Sequence, residues 1–148
     1  MENILSLKEE HIMECTKLYI RVFNDTPWND NWNLESAGKR LRDICNSPNF
    51  EGMIYMDNDA VKGALFGNYE QYYNGIHYYI KEMFVSNDSQ GMGIGSKLIS
   101  CFEDVLKKNK AAAVYLLTAR GSRTSRFYEK NGYQLWDGMS MMGKHLYE

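Results

Sequence analysis

The segment QGMGIGS, residues 90–96, lies between an apolar aromatic run and a helical stripe, and this order restricts the fold more than any other feature of the chain. Upstream, IHYYIKEMFV (76–85) is rich in β-branched and aromatic residues and reads as a strand. Downstream, Leu98, Ile99, Phe102, Val105 and Leu106 recur at helical spacing over 95–108, and the lysines of KKNK suit a helix C-terminus. AVYLLT then gives a nearly unbroken apolar strand over 114–118, of the kind buried on both faces. Strand, glycine turn, helix and strand make a βαβ-like step, which belongs in a sheet flanked by helices. Glycine in or beside a helix costs about 0.5–1 kcal/mol relative to alanine. Three of the chain's 12 glycines nevertheless fall within five positions, at Gly91, Gly93 and Gly95.

The remaining elements surround this step. Residues 2–6 read as a short strand. Ile12, Cys15, Tyr19, Val22 and Phe23 form one apolar stripe, predicting a helix from about 9 to 24. After NDTPWNDNWN, a second helix opens on Asn33 as its cap, carries Leu34, Ala37, Leu41 and Ile44, and ends at NSPN. MIYM and VKGALFGNY flank DNDA as a hairpin with a four-residue loop. SRTSRFYEKNGY is helical, with Gly132 at its C-terminal end, and YQLWDGMSMMGKHLY reads as two strands around Asp137-Gly138. The expected architecture is a single α/β (α+β) domain over 1–148, with a mixed central sheet of six to seven strands and about four helices.

A chain of 148 residues with 44% hydrophobic and 24% charged residues is that of an ordinary globule, and a net charge of -2 offers no field for a phosphate backbone. Nucleic acid is therefore not an expected partner. No run of eighteen apolar residues exists, so no membrane span is expected, and the start MENILSLKEEH does not read as a secretory leader. Cys15, Cys45 and Cys101 are scattered over predicted helices, without metal-ligand or disulfide spacing. A reduced, cytoplasmic setting and no metal are the expectations.

The glycines make chemical sense as an anion cradle. The first turn of a helix leaves about four N–H groups unpartnered and carries roughly half a positive charge. A preceding loop without Cβ atoms lets its amides approach the same oxygens. Ser96 adds a hydroxyl. The letters fit neither the Walker loop, which needs an earlier glycine and Gly-Lys-Ser/Thr, nor GxGxxG, whose third glycine is replaced by Ser96. What fits is Q-x-x-G-x-G, spelled Gln90, Gly91, Met92, Gly93, Ile94, Gly95.

With EMFV before this motif, a helix after it, VYLLT and RFYEKNGY beyond, the chain resembles the GNAT superfamily of acyl-CoA-dependent N-acyltransferases. The resemblance implies acetyl-CoA as co-substrate, its pyrophosphate on residues 90–96 and its pantetheine along the backbone of Met83, Phe84 and Val85. It also implies Tyr128 as the acid that protonates the departing thiolate. One departure is Gly121, where many relatives carry asparagine.

Transfer to an amine needs a neutral nucleophile, and an amine with pKa near 10.4 is unprotonated only about once in 2,500 molecules at pH 7. A base is therefore required. Glu82, an acid on an otherwise apolar strand face that alternation assigns to Ile80 and Phe84, is the candidate; pairing with Lys81 or a neighbouring strand, or simple exposure to solvent, is the alternative. For the acceptor, Trp28, Asp30 and Trp32, with Asp25, offer aromatic and acidic groups for a cationic amine, unless the tryptophans simply plug the loop onto the core. The expected activity is acetyl transfer to a primary amine of a small molecule, polyamine or aminoglycoside-like, or of a peptide. The competing reading is an acyl-CoA-binding sensor that does not turn over, and the resemblance allows a homodimer through the C-terminal strands.

Overall fold

The computed structural model describes residues 3–147. Met1 and Glu2 lie outside the described residues, so of the strand expected over 2–6 the observed part is β1, Ile4–Ser6. A 3-10 turn, Glu9–His11, leads into α1, Ile12–Phe23, and α2 follows at Leu34–Cys45. Asn33 caps α2 as expected, its side chain accepting from Ser36 N–H at 2.8 Å while Ser36 Oγ accepts from Asn33 N–H at 3.0 Å. Strands β2, Phe50–Asp57, β3, Ala60–Tyr72, and β4, Gly75–Val85, form an antiparallel meander. Helix α3, Ile94–Lys108, crosses back to β5, Ala111–Tyr115, which pairs parallel with β4. The last helix, α4, spans Arg123–Lys130. No helix among the described residues is long and apolar enough to cross a membrane.

Among the described residues the sheet has five strands in the order β1-β2-β3-β4-β5, not six to seven. The difference lies in the tail. Around Asp137-Gly138 a turn forms, with Met139 N–H donating to Trp136 C=O at 3.2 Å, but no strand is found there among the described residues. Leu135 and Trp136, and Met141 and Met142, are adjacent apolar pairs, which spoils the alternation a half-buried strand needs. An isolated hairpin without a third strand is at best marginal. Strand β5 also begins three residues before the expected 114. Alanine is a poor strand former, so Ala111–Ala113 are strand only because β4 supplies the ladder. The β2–β3 hairpin is tighter than expected, a two-residue loop in which Asn58 (φ 50°) and Asp59 (φ 62°) both take the left-handed conformation these residues tolerate best.

The chain forms two compact units, one ending at Leu117 and one beginning at Thr118. In the first, α1 and α2 cover one face of the sheet. Cys15, Leu18, Tyr19 and Val22 of α1 and Ala37, Leu41 and Ile44 of α2 pack with Ile54, Ala64, Phe66 and Phe84. Helix α3 covers the other face, where Ile94 and Leu98 meet Ile4, Met53, Tyr55, Met83 and Val85. In the second, Tyr128 is buried, with Phe127 and Tyr133 against its ring at 5.2 and 5.7 Å.

Strand β4 changes parity midway. Tyr78 packs on Phe102 of α3, so Tyr78 and Ile80 point to the α3 side, yet Phe84 points to the α1/α2 side. The ladder shows why: Gly67 pairs with Ile80 but Phe66 pairs with Glu82, so Lys81 is an extra residue, a β-bulge. The expected sharing of one face by Ile80, Glu82 and Phe84 is thus corrected: Glu82 and Phe84 lie on one face and Ile80 on the other. Gly67 makes the bulge possible, because a Cβ there would run into the Tyr79 carbonyl oxygen and lie 2.9 Å from Lys81 N. Gly67→Ala should therefore destabilise the fold by about 1–3 kcal/mol or more, as overpacking against backbone does. A lowered urea midpoint checks this, and an unchanged midpoint would refute the account of the bulge.

Candidate active site

Beyond Ile80 the two parallel strands part. The β4–β5 ladder ends at Tyr79 with Tyr115, while β4 runs on to Val85, so the stretch holding Met83, Phe84 and Val85 has no β5 partner on that edge. Backbone donors and acceptors along such an edge can serve an extended amide-bearing ligand. Phe84 is buried in the α1/α2 core, whereas Met83 and Val85 pack against the α3-side cluster, so only their main chains are available.

After Val85 the chain makes a 3-10 turn, Asn87–Ser89, and enters the glycine loop. Gly91 and Gly93 take φ of +85° and +79°, and a Cβ on either would meet nothing within 4 Å, so open space lies over both. Gly93 is the N-cap of α3 and no side chain caps it. Lys97 N–H makes the first helical hydrogen bond, to Gly93 C=O at 3.0 Å, so the amides of Ile94, Gly95 and Ser96 precede the ladder. The first turn carries no acidic residue. These features fit a diphosphate, because bare amides, positive φ and the helix dipole converge on unobstructed space. Ile94 contributes only its backbone, since its side chain is in the core, while Met92 is 66% exposed.

The loop is pinned from below. Gln90 Nε2 donates to Val85 C=O at 3.1 Å and to Asn87 Oδ1 at 3.0 Å, so its side chain fixes the turn and uses one acceptor of the open edge. Asn87 Nδ2 in turn donates to Asp25 Oδ2 at 2.9 Å, tying the α1–α2 connection to the glycine loop.

Glu82 sits under α1 and α2 with its side chain 11% exposed. Its Oε2 accepts from Arg40 Nε at 2.9 Å and from Tyr19 Oη at 3.0 Å. Burial pushes its carboxyl above the ordinary value of 4.5, Arg40 and the Tyr19 hydrogen bond pull the other way, and the charge of Asp30 adds a further upward push. Tyr19 itself is driven well above the usual phenol range by burial and by Glu82. Neither partner is the Lys81 that the sequence suggested. Tyr19 lies in the α1 stripe and is easily taken for core. The signal for Arg40 is its position, three residues after Ala37 and four before Ile44, on the apolar face of α2.

The acceptor-side residues are partly packing. Trp32 lies edge-on to Tyr19 at 5.1 Å between centroids, and its indole N–H donates to Asp30 Oδ2 at 3.0 Å. Its backbone is held on both sides by Asn24, which accepts from Trp32 N–H at 2.8 Å and donates to its C=O at 2.9 Å. Trp28 meets Phe23 edge-on at 5.1 Å but remains 40% exposed. The fold therefore gathers Glu82, Asp30 and Trp32 around Tyr19 and Arg40, while Tyr128 belongs to the second compact unit. Cys15 and Cys45 are pushed up to about 12 and about 11 by burial, so their thiols stay protonated and offer no nucleophile.

A sequence model described as acetyltransferase (GNAT) domain matches residues 49–135, more than half of the chain, including β4, the glycine loop and α4. The chain belongs to the GNAT acetyltransferase family. This GNAT protein is an acyltransferase by that membership, and its fold is shared by solved structures at low identity. An aminoglycoside acetyltransferase, meta-AAC0020 from an uncultured soil metagenomic sample, in complex with trehalose, is 18% identical with a TM-score of 0.70, covering 98% of this chain and 93% of that one. AAC(6')-Iy in complex with the bisubstrate analog CoA-S-monomethyl-acetylneamine is 13% identical with a TM-score of 0.74, covering 97% of both chains. A transcriptional regulator from Bacillus halodurans C-125 is 18% identical with a TM-score of 0.76, covering 97% and 98%. No curated protein sequence matches this chain.

The environment of Glu82 has a measurable consequence. A carboxyl whose pKa is raised by folding contributes most favourably below its unfolded value, near 4.5, and that contribution is lost as pH rises through the folded value. Relative to Glu82→Gln, the wild-type urea midpoint should fall as pH is raised from about 4 to about 7; a rise over that window would overturn the sign. Arg40→Met should move the Glu82 carboxyl further up in a carbon-detected NMR titration, and no movement would deny the ion pair its role.

Proposed function

We propose that residues 1–148 act as one cytoplasmic N-acetyltransferase domain that carries an acetyl group from acetyl-CoA directly to a primary amine of a small molecule or peptide. The observation that carries the reading is the uncapped N-terminus of α3, entered through Gly91 and Gly93 at the end of a β4 edge left open by β5. The backbone of residues 90–96 cradles the diphosphate, chiefly through the amides of Gly93, Ile94, Gly95 and Ser96, since Met92 N–H already donates to Ser89 C=O at 3.3 Å, with the Gln90 side chain as brace and the Ser96 hydroxyl as an added donor. The main chain of Met83, Phe84 and Val85 aligns the pantetheine arm. Acetyl-CoA, when bound, supplies the thioester whose thiolate leaves.

Glu82 accepts the proton of the incoming amine, directly or through water. Its Oε2 is occupied by Arg40 and Tyr19, which leaves Oε1 as the receiving atom. Burial raises the proton affinity of Glu82 above that of an ordinary carboxylate, and Arg40 and the Tyr19 hydrogen bond partly offset the rise by favouring the ionised form. Tyr128 gives its phenolic proton to the departing thiolate. Trp28, Trp32 and Asp30 attract the ammonium form of the acceptor by cation–π and charge interactions before it loses its proton. The two aminoglycoside-modifying proteins of the same fold support a polyamine or amino-sugar amine as the acceptor class.

Gly93→Asp should weaken coenzyme A binding by about tenfold or more in calorimetry, because a carboxylate enters the diphosphate site; unchanged affinity would refute the cradle. Tyr128→Phe should leave that affinity intact and lower saturated turnover by about a hundredfold or more. Free-thiol release with an amine panel measures this, and lost affinity with turnover preserved would reverse the assignment.

A further inference from the structure

The sheet face that carries Glu82 continues beyond α2 as a row of side chains the proposed chemistry leaves unused. Parity defines the row. Phe66 packs with Phe84 on the α1/α2 side, so Asn68, Glu70 and Tyr72 of β3 share that face. Across the ladder Asn68 pairs with Tyr79 and Glu70 with His77, and Tyr79 pairs with Tyr115 of β5. The Tyr79 and Tyr115 rings stack at 4.6 Å between centroids with planes 12° apart.

Glu70 closes the row. Its Oε1 accepts from Tyr115 Oη at 2.6 Å and from Tyr72 Oη at 3.4 Å, and the Tyr72 ring meets His77 edge-on at 4.3 Å. Its hydrogen-bond donors are neutral phenols, and among the described residues no lysine or arginine pairs with it. Glu82, by contrast, has Arg40. A carboxylate fenced by phenols and lacking a cation is complementary to an ammonium group. The aromatic floor beside it already attracts one, since Lys81 Nζ stands 5.8 Å over the Tyr79 ring.

Spacing turns this into a statement about substrate. Glu82 is level with Phe66, and Glu70 lies four residues farther along β3, roughly 13 Å at about 3.3 Å per residue. The stacked tyrosines lie between them. We propose that Glu70 is a second cation subsite, so that the acceptor is an extended amine with two or more ammonium groups. The reacting end lies at Glu82, the apolar body lies over Tyr79 and Tyr115, and a distal ammonium rests on Glu70. The Glu82 end of this arrangement rests on the functional reading above; the Glu70 end does not.

Calorimetric titration of diaminooctane, spermidine and octylamine, with coenzyme A present, tests it without turnover. The two polycations should bind the wild type about tenfold or more tighter than octylamine. Glu70→Gln, which still accepts from Tyr115 and Tyr72, should erase that preference and leave octylamine and coenzyme A binding unchanged. Diamine binding to Glu70→Gln equal to wild type would overturn the subsite. Should the variant unfold, octylamine matching diaminooctane on the unmodified protein overturns it equally. If no amine yields free thiol while the Glu70-dependent preference persists, the catalytic reading fails and the subsite stands.

Discussion

The bulge at Lys81 is the constraint from which the rest of the site follows. One extra residue in β4, admitted by the missing Cβ of Gly67, turns the strand over between Ile80 and Glu82. Before it, Tyr78 belongs to the α3 face; after it, Glu82 and Phe84 belong to the α1/α2 face. A regular strand in this register would have sent Glu82 to the side where α3 packs, away from Arg40 and Tyr19. The parallel ladder with β5 stops just before the bulge, so a buried carboxylate and an open backbone edge arise within a few residues of each other.

Two charges of opposite sign are then managed in different ways. At Glu82 the carboxylate is desolvated and balanced by Arg40, whose side chain is 44% exposed, so solvent screens part of the attraction and the acid stays shifted upward. At α3 the positive end of the helix is left without cap or carboxylate, a cost the fold accepts where a ligand's negative charge would offset it. The Asn87–Asp25 and Gln90–Val85 hydrogen bonds join these two places, since they fasten the glycine loop to the acceptor-side connection and to the end of β4. Loop geometry and acceptor geometry are thereby set by one network.

Much of this architecture is legible in the amino-acid order. The periodicity of α1, α2 and α3, the Asn33 cap and the strand–glycine–helix succession follow from local physics, because helix stripes and cap chemistry need only near neighbours. Glu82 stands out as an acid in an apolar run. The tail misleads: Asp137-Gly138 is a good turn, but a turn does not create a partner strand, and Leu135–Trp136 and Met141–Met142 break alternation. Arg40 and Tyr19 are harder to read as site residues, since the position of Arg40 beside the apolar stripe of α2 names no partner for it and Tyr19 reads as core.

Residue identity is enough to set the glycine cradle, since positive φ at 91 and 93 and a helix start without a side chain at 95 depend on glycine there, and it is enough to place the chain in its family. The direction of Glu82 is fixed only once the sheet is assembled. Side-chain direction along a strand depends on every residue before it, and a single bulge, set by the close approach of β3 and β4 at Gly67, reverses the count. The partners of Glu82 on α1 and α2 lie 63 and 42 residues away in the chain, and only packing brings them within 3.0 Å.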